Sequence, residues 1–212
     1  MNIYILRHGE TNGNKAGRIQ GSTDIPLNEY GIELAKITRD GIEKEGLQFD
    51  IIYASPLSRA RKTAEIVRGT HTTDIDDRIV EMNFGKAEGM LIKDINEKPE
   101  NQNLKYCFTI PSKYQAKDGA ESYEHIMARA KDFLENELRP LEHTYENVLV
   151  VCHGALIRAL LLNVLGWDID RYWEIHQPNC CMNLVTLKDG KFNLAYMEKI
   201  YYEGDVAAKG IL

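Results

Sequence analysis

The segment Asn147 to Cys152, Asn-Val-Leu-Val-Val-Cys, constrains this chain more than any other feature. A near-continuous Val/Leu run bounded by polar residues reads as a strand covered on both faces, the pattern of a parallel sheet enclosed by helices. It ends in His153-Gly154, and an apolar helical stretch follows from Ala155 to Leu165. The opening of the chain repeats this arrangement. Asn2 to Leu6 is a short apolar, β-branched run that stops in Arg7-His8-Gly9, so a buried strand delivers polar residues at its tip.

Between these two units the punctuation continues the alternation. Asn28 caps a helix predicted to run to about Glu45, where Gly46 stops it. Asp50 to Ala54 reads as a second strand. Ser55 is then expected to cap a helix with Pro56 at its first position, running through Arg59, Ala64 and Ile66 to about Arg68. From Gly69 to Gly119 the signals weaken, apart from a short strand around Asp74 to Ile79. Pro99 and Pro111 interrupt a polar, Lys-rich stretch there, which predicts a long excursion with short helices and a lid at about residues 90–120. Ser122 caps a helix over Tyr123 to Leu138, with Pro140 just beyond it. A short helix is expected near Asp170 to Ile175, and Asn183 to Leu187 with Phe192 to Met197 form a terminal hairpin through Asp189-Gly190. Strands alternating with helices predict an α/β fold: a three-layer α/β/α sandwich with a mostly parallel sheet and an antiparallel element from the hairpin. With no internal repeat and no Gly/Ser linker, residues 1–212 are expected to form a single domain.

Composition removes several classes. At 43% apolar and 27% charged, the 212 residues are those of an ordinary globular protein. No apolar run approaches the ~20 residues of a membrane helix, and Met1 to His8 lacks the form of a signal peptide, so a cytoplasmic protein without a membrane partner is expected. The net charge of −6 and the lack of a basic block argue against nucleic acid, although a few focused cations can still hold a small anion. Of the four cysteines, Cys107 and Cys152 stand alone and Cys180 and Cys181 adjoin, with no CxxC spacing. They read as reduced packing residues.

Open α/β sheets bind ligands at the carboxyl ends of their strands. His8 and His153 both sit there, each followed by glycine. A lone histidine at a strand end is ordinarily structural, but two in matching contexts, one beside Arg7, point to a site for an anion. Arg59 adds a guanidinium in the first turn of its helix, where the helix dipole acts in the same sense. Arg61 and Lys62 read as a solvated face.

Taken together, Arg7-His8-Gly9-Glu10-Thr11 with Asn14, the block Ser55-Pro56-Leu57-Ser58-Arg59-Ala60, Glu81 with Gly85 and Glu88-Gly89, and Cys152-His153-Gly154 resemble the histidine phosphatase superfamily, also called the phosphoglycerate mutase-like family. The four blocks lie in the expected order from residue 3 to about 160. The resemblance implies the fold of that family and assigns roles residue by residue. His8 would be the nucleophile that becomes a phosphohistidine. Arg7, Arg59 and His153 would hold the phosphate oxygens, with Asn14 and the Gly154 backbone nearby. Glu81 would be the general acid and base. Gln20 and Gly21 match a loop lining the substrate entrance, while Glu10 and Glu88 match positions read as structural hydrogen-bond partners.

These residue types suit phosphoryl transfer on physical grounds. Its transition state is loose, so catalysis is mainly positioning and charge stabilisation, which arginine forks supply. Imidazole attacks through a neutral nitrogen, accessible at pH 7 from an unperturbed pKa of ~6.5, and Arg7 and Arg59 would favour the neutral form further. A glutamate would serve as acid if burial raised its pKa from ~4.3 toward ~6 to 7. No metal or other cofactor is required. The expected activity is that of a metal-independent phosphatase acting on a small-molecule phosphate ester, with a second copy of the chain, as a homodimer, the one protein partner considered.

The runner-up is a cofactor-dependent phosphoglycerate mutase. Mutases of the family are usually longer and carry an adjacent arginine pair after the Glu block, whereas Met90 to Glu121 contains Lys93, Lys98, Lys105, Lys113 and Lys117 but no arginine. Tyr106, Phe108 and Tyr114 in that stretch are candidates for lining a pocket, although local packing is the commoner use. A non-catalytic phospholigand-binding module would be expected to lose His8, Glu81 or an arginine, and all are present. A metal-dependent hydrolase and a P-loop NTPase lack their motifs here.

Overall fold

Along β1 (Asn2–Arg7) side chains alternate between two environments: Ile3 and Ile5 pack on one face of the sheet and Leu6 on the other. The computed structural model, which describes residues 1–68, 73–97 and 99–203, repeats this division across the sheet. After the short α1 (Asn12–Lys15) and the long α2 (Glu29–Lys44) come β2 (Ile51–Ala54), α3 (Ser58–Val67) and β3 (Asp74–Ile75). The excursion carries α4 (Ile92–Glu97) and α5 (Gln102–Thr109), followed by α6 (Tyr123–Asp132). Then β4 (Asn147–Cys152), α7 (Gly154–Leu165), β5 (Met182–Lys188) and β6 (Lys191–Lys199) complete the chain's regular elements.

The six strands lie in the order β3-β2-β4-β1-β5-β6. β3, β2, β4 and β1 are parallel to one another, and the β5–β6 hairpin adds two antiparallel pairings beside β1. Leu6, Ile52, Leu149 and Val151 meet Ile42 of α2 and Ala60 and Ala64 of α3 on one face. Ile3, Ile5, Val148 and Val150 meet Ile126 of α6 and Leu156 and Leu160 of α7 on the other. The fold is therefore the three-layer sandwich with a mostly parallel sheet that the apolar runs predict. No described helix is long and apolar enough to cross a membrane. All four cysteines are buried free thiols.

Several boundaries differ from expectation. Ser55 does not cap α3. The helix begins at Ser58, and the carboxylate of Asp24, on a neighbouring loop, accepts the Ser58 amide at 2.8 Å and its hydroxyl at 2.6 Å. The expected strand from Asp74 to Ile79 shortens to two residues, because the Asp76 side chain accepts the Arg78 amide and starts a 3-10 turn over Asp77–Ile79. The helix capped by Ser122 runs through Asp132 and continues as π-helical turns over Phe133–Leu138. Gly69, taken as the start of the weakly patterned region, and Lys98 of the excursion lie outside the described residues.

Candidate active site

Parallel pairing of β1 with β4 sets Arg7 opposite Cys152, and β2 pairs with β4 so that Ala54 lies opposite Val151. The chain therefore leaves three neighbouring strands at one edge, placing His8, Ser55 and His153 side by side. The two imidazole rings have centroids 5.1 Å apart. Nδ1 of His8 lies 2.7 Å from the Gly9 carbonyl oxygen. A carbonyl only accepts, so Nδ1 carries the proton and Nε2 of the neutral ring holds the lone pair. Burial, reinforced by Arg59 and Arg7, holds the His8 imidazole well below its ordinary pKa. Burial and the same two arginines, together with His8 itself, do likewise to His153. The Nε2 of His153 pairs with the Ser55 hydroxyl at 2.7 Å, and its Nδ1 is buried without a hydrogen-bond partner among the described residues.

The glycine after His8 admits backbone rather than ligand. A Cβ built there would overlap the Gly31 carbonyl oxygen in the first turn of α2, so the loop after β1 and that helix touch main chain to main chain. The Gly9 amide also donates to the Thr63 hydroxyl of α3 at 3.0 Å.

Arg59, in the first turn of α3, is almost fully buried. It donates to the carbonyls of Thr23 at 2.8 Å and Gly21 at 2.6 Å. Burial pushes it down to about 10 against the attraction of Glu81 and Asp24, so it stays charged at neutral pH. Arg7 is also buried and donates to the Gln177 carbonyl. Glu81 arrives from the loop after the 3-10 turn over Asp77–Ile79 and closes the N-terminus of α7. Its carboxylate accepts the amides of Ala155 at 3.1 Å, Leu156 at 3.0 Å and Met82 at 2.9 Å. His153, the N-cap of that helix, makes no capping bond, and Glu81 satisfies those orphan donors instead.

A small, partly open pocket brings together Arg7, His8, Asn14, Gln20, Gly21, Arg59 and Glu81. His153 stands behind His8, and Gly154 forms the first turn of α7. Asn14 completes a capping box with Thr11, whose hydroxyl donates to Gln20 at 2.6 Å, so that α1 holds both amides at the pocket. Glu10 and Glu88 act as hydrogen-bond anchors: Glu10 accepts from Asn28 at 2.8 Å, and Glu88 accepts the amides of Ser22, Thr23 and Phe84. Among the described residues no group of His, Cys, Asp and Glu is arranged to hold a metal ion.

Sequence reasoning missed five residues of the pocket wall: Arg18, Ile19, Phe84, Ala155, which directly follows His153-Gly154, and Trp173. Arg18 and Ile19 immediately precede the Gln20-Gly21 pair, a proximity that was available as a signal. Phe84 and Trp173 carried none, since they join the site only through the tertiary fold. Of the excursion's aromatics, Phe108 packs behind both, with centroids 5.7 Å from Phe84 and 5.1 Å from Trp173. Tyr114 packs on Tyr123, and neither Tyr106 nor Tyr114 lines this pocket.

The family model described as histidine phosphatase superfamily (branch 1) matches residues 3–199. Phosphoserine phosphatase 1 of Hydrogenobacter thermophilus is 33% identical over 192 residues, covering 89% of this chain and 88% of that protein. A metal-independent phosphoserine phosphatase of Arabidopsis thaliana is 32% identical over 90% of this chain and 78% of its own length. Among solved structures, a phosphoserine phosphatase variant from Entamoeba histolytica in complex with phosphoserine superposes with a TM-score of 0.81 at 26% identity, covering 93% of this chain and 96% of that one. The chain belongs to the histidine phosphatase superfamily. Its enzyme class is that of a phosphatase acting on small phosphate esters.

Proposed function

We propose that residues 1–212 form one catalytic domain that hydrolyses a small phosphate monoester, of the size of phosphoserine, through a phosphohistidine on His8. The tautomer of His8 carries this reading: with Nδ1 donating to the Gly9 carbonyl, the Nε2 lone pair is the nucleophile in a pocket that also holds Arg7 and Arg59. Arg7, Arg59 and His153 grip the phosphoryl oxygens, with Asn14, Gln20, Gly21 and the Gly154 backbone around them. Each charge-assisted contact contributes on the order of 1.5 to 3 kcal/mol. The Nε2–P bond forms as the ester P–O bond breaks, and the Glu81 carboxyl gives its proton to the leaving oxygen. After the alcohol departs, Glu81 takes a proton from the water that attacks phosphorus, and orthophosphate leaves with His8 restored.

No step calls on a metal. The phosphoserine phosphatases among the relatives, one of them metal-independent, support the substrate size. Residues 90–120 serve as the lid in this reading, supported by Phe108 packing behind the pocket residues Phe84 and Trp173. A cytoplasmic setting fits the four buried free thiols, and the net charge of −6 fits a small-molecule enzyme without a nucleic-acid partner. The deciding experiment is a phosphate-release screen in EDTA over small phosphate monoesters, including phosphoserine, and 3-phosphoglycerate with and without its bisphosphate primer. Release from a small monoester is expected. Net isomerisation of 3-phosphoglycerate would assign a mutase instead, and no release from any ester would remove the reading.

A further inference from the structure

Arg129 of α6 and Glu121, just before the Ser122 cap of that helix, form an ion pair that takes no part in the steps above and does not line the pocket. The pair is largely withdrawn from water, with 11% of the Arg129 side chain and 8% of the Glu121 side chain exposed. Nε and Nη2 of Arg129 donate to the two carboxylate oxygens at 2.7 and 2.9 Å, a bidentate fork with fixed geometry. Against the upward push of burial, Arg129 holds the Glu121 carboxyl below its ordinary range, so the carboxylate is ionised at neutral pH. The exposed His125 imidazole reaches the same carboxylate through Nδ1 at 2.6 Å.

A largely buried ion pair adds little net stability by itself, because desolvation consumes most of the attraction. What this one holds is the backbone around Glu81. Nη1 of Arg129 donates to the carbonyls of Arg78 at 2.7 Å and Val80 at 2.6 Å, and the Val80 carbonyl belongs to the peptide group that Glu81 completes. On the other side, the Asn83 amide donates to the Glu121 carboxylate at 3.2 Å and the Glu121 amide to the Asn83 carbonyl at 2.7 Å. Glu81 and Met82 are the two residues spanned by this clamp. The Glu81 carboxylate reaches forward to the first amides of α7, and α6 is fastened to α7 where Nδ2 of Asn163 donates to the Met127 carbonyl at 3.1 Å. The 3-10 turn before Glu81 has a tie of its own, since the Arg78 side chain pairs with Asp132 and Glu137. Its attachment does not depend on Arg129 alone, whose distinctive contact is the Val80 carbonyl.

We propose that Arg129 and Glu121 are positioning residues for the general acid: from α6 they fix the backbone on both sides of Glu81, and so hold its carboxyl where the leaving oxygen departs. A proton donor works only within hydrogen-bond reach of its acceptor, and a displacement of about 1 Å costs on the order of 10²-fold in rate. The pair acts on protonation of the leaving group and leaves the grip on the phosphoryl oxygens alone. This rests on the reading of Glu81 as the acid.

The test measures kcat/KM for phosphoserine, an alkyl ester, and for p-nitrophenyl phosphate, together with orthophosphate inhibition, in R129M, R129K and E121Q. R129M should lose roughly 10- to 100-fold on phosphoserine while p-nitrophenyl phosphate and orthophosphate stay within about threefold of wild type. R129K should show the same split, because an ammonium keeps the charge but cannot hold Glu121 and the Val80 carbonyl together as a planar fork does. E121Q, which keeps an acceptor for the Asn83 amide but loses the ionic fork, should split the esters in the same direction by a smaller factor. Added to Glu81→Gln, R129M should cost phosphoserine no more than about threefold further, since two changes acting through one proton transfer are not additive.

Equal losses on both esters, a matching loss of orthophosphate affinity, or full losses that multiply with those of Glu81→Gln would overturn the proposal. Wild-type behaviour in R129K would make Arg129 a matter of charge rather than of position and would overturn it too. If R129M fails to fold, R129K and E121Q decide alone. If Glu81→Gln itself fails to separate the two esters, or wild type hydrolyses only the nitrophenyl ester, the acid reading falls and this proposal with it. If Glu81→Gln separates them and the clamp variants do not, this proposal alone fails.

Discussion

The Ser55 hydroxyl lies 2.7 Å from Nε2 of His153, joining the tips of β2 and β4. That bond orients a fully buried imidazole whose other nitrogen has no partner among the described residues and, in the function proposed above, meets the phosphoryl group. Ser55→Ala should lower kcat/KM for p-nitrophenyl phosphate by roughly tenfold, the value of one buried hydrogen bond near 1.4 kcal/mol. The unfolding midpoint should fall as well, because the change leaves a buried imidazole nitrogen unpaired, although α3 keeps its contact with Asp24. Unchanged kinetics would show that the pairing does not orient His153.

Replacing His8 by Ala should abolish turnover with the fold retained. Radiolabelled substrate quenched in alkali during turnover should leave acid-labile label on the wild-type protein and none on the variant. Label on the variant would move the nucleophile elsewhere.

Glu81→Gln should separate substrates by leaving group. Loss of a general acid costs about 10²- to 10⁴-fold for a poor leaving group such as an alkyl alcohol, and far less for nitrophenolate, which departs without a proton. Gln also turns an amide NH₂ toward the α7 amides that the carboxylate accepts, so a stability loss of about 1 kcal/mol is expected. Equal rate losses for both substrates would deny the acid role.

Glu88 anchors the loop whose Gly21 and Thr23 carbonyls hold Arg59. Glu88→Ala should therefore raise KM and weaken orthophosphate inhibition, each by about tenfold, because Arg59 loses its rests. A change confined to the unfolding temperature would make Glu88 a matter of stability alone.

The histidines fix a pH signature. His8 and His153 are both depressed in the folded protein, so below about 6.5 the unfolded chain binds protons that the folded one refuses. Stability is full above that pH and falls as pH drops from about 6.5 toward the lowered folded values. The unfolding midpoint should decline over that window, while kcat/KM shows no imidazole ionisation near 6.5. An acid limb near 6.5 carried by His8 would contradict the buried, neutral nucleophile.

Much of this was legible along the chain because it is local. Strand β4 has the predicted ends, Asn28 caps α2 as expected, and the residues read as the phosphate site meet in one pocket or directly behind it, since strand tips and helix starts are set by adjacent residues. The choice of cap for α3 was not legible. Ser55 and Asp24 are both competent caps, and only the neighbouring strand, by drawing Ser55 toward His153, decides between them.

The sequence by itself determined the alternation of strands and helices, the delivery of two histidines to strand tips and the cations beside them, because hydrophobic period and backbone punctuation act over a few residues. Only the tertiary structure decided that Glu81 closes α7, that Phe84 and Trp173 wall the pocket and that Arg129 of α6 holds the Val80 carbonyl beside Glu81. Those contacts join segments tens of residues apart, and burial, which sets their energies, exists only once the layers have closed on the sheet.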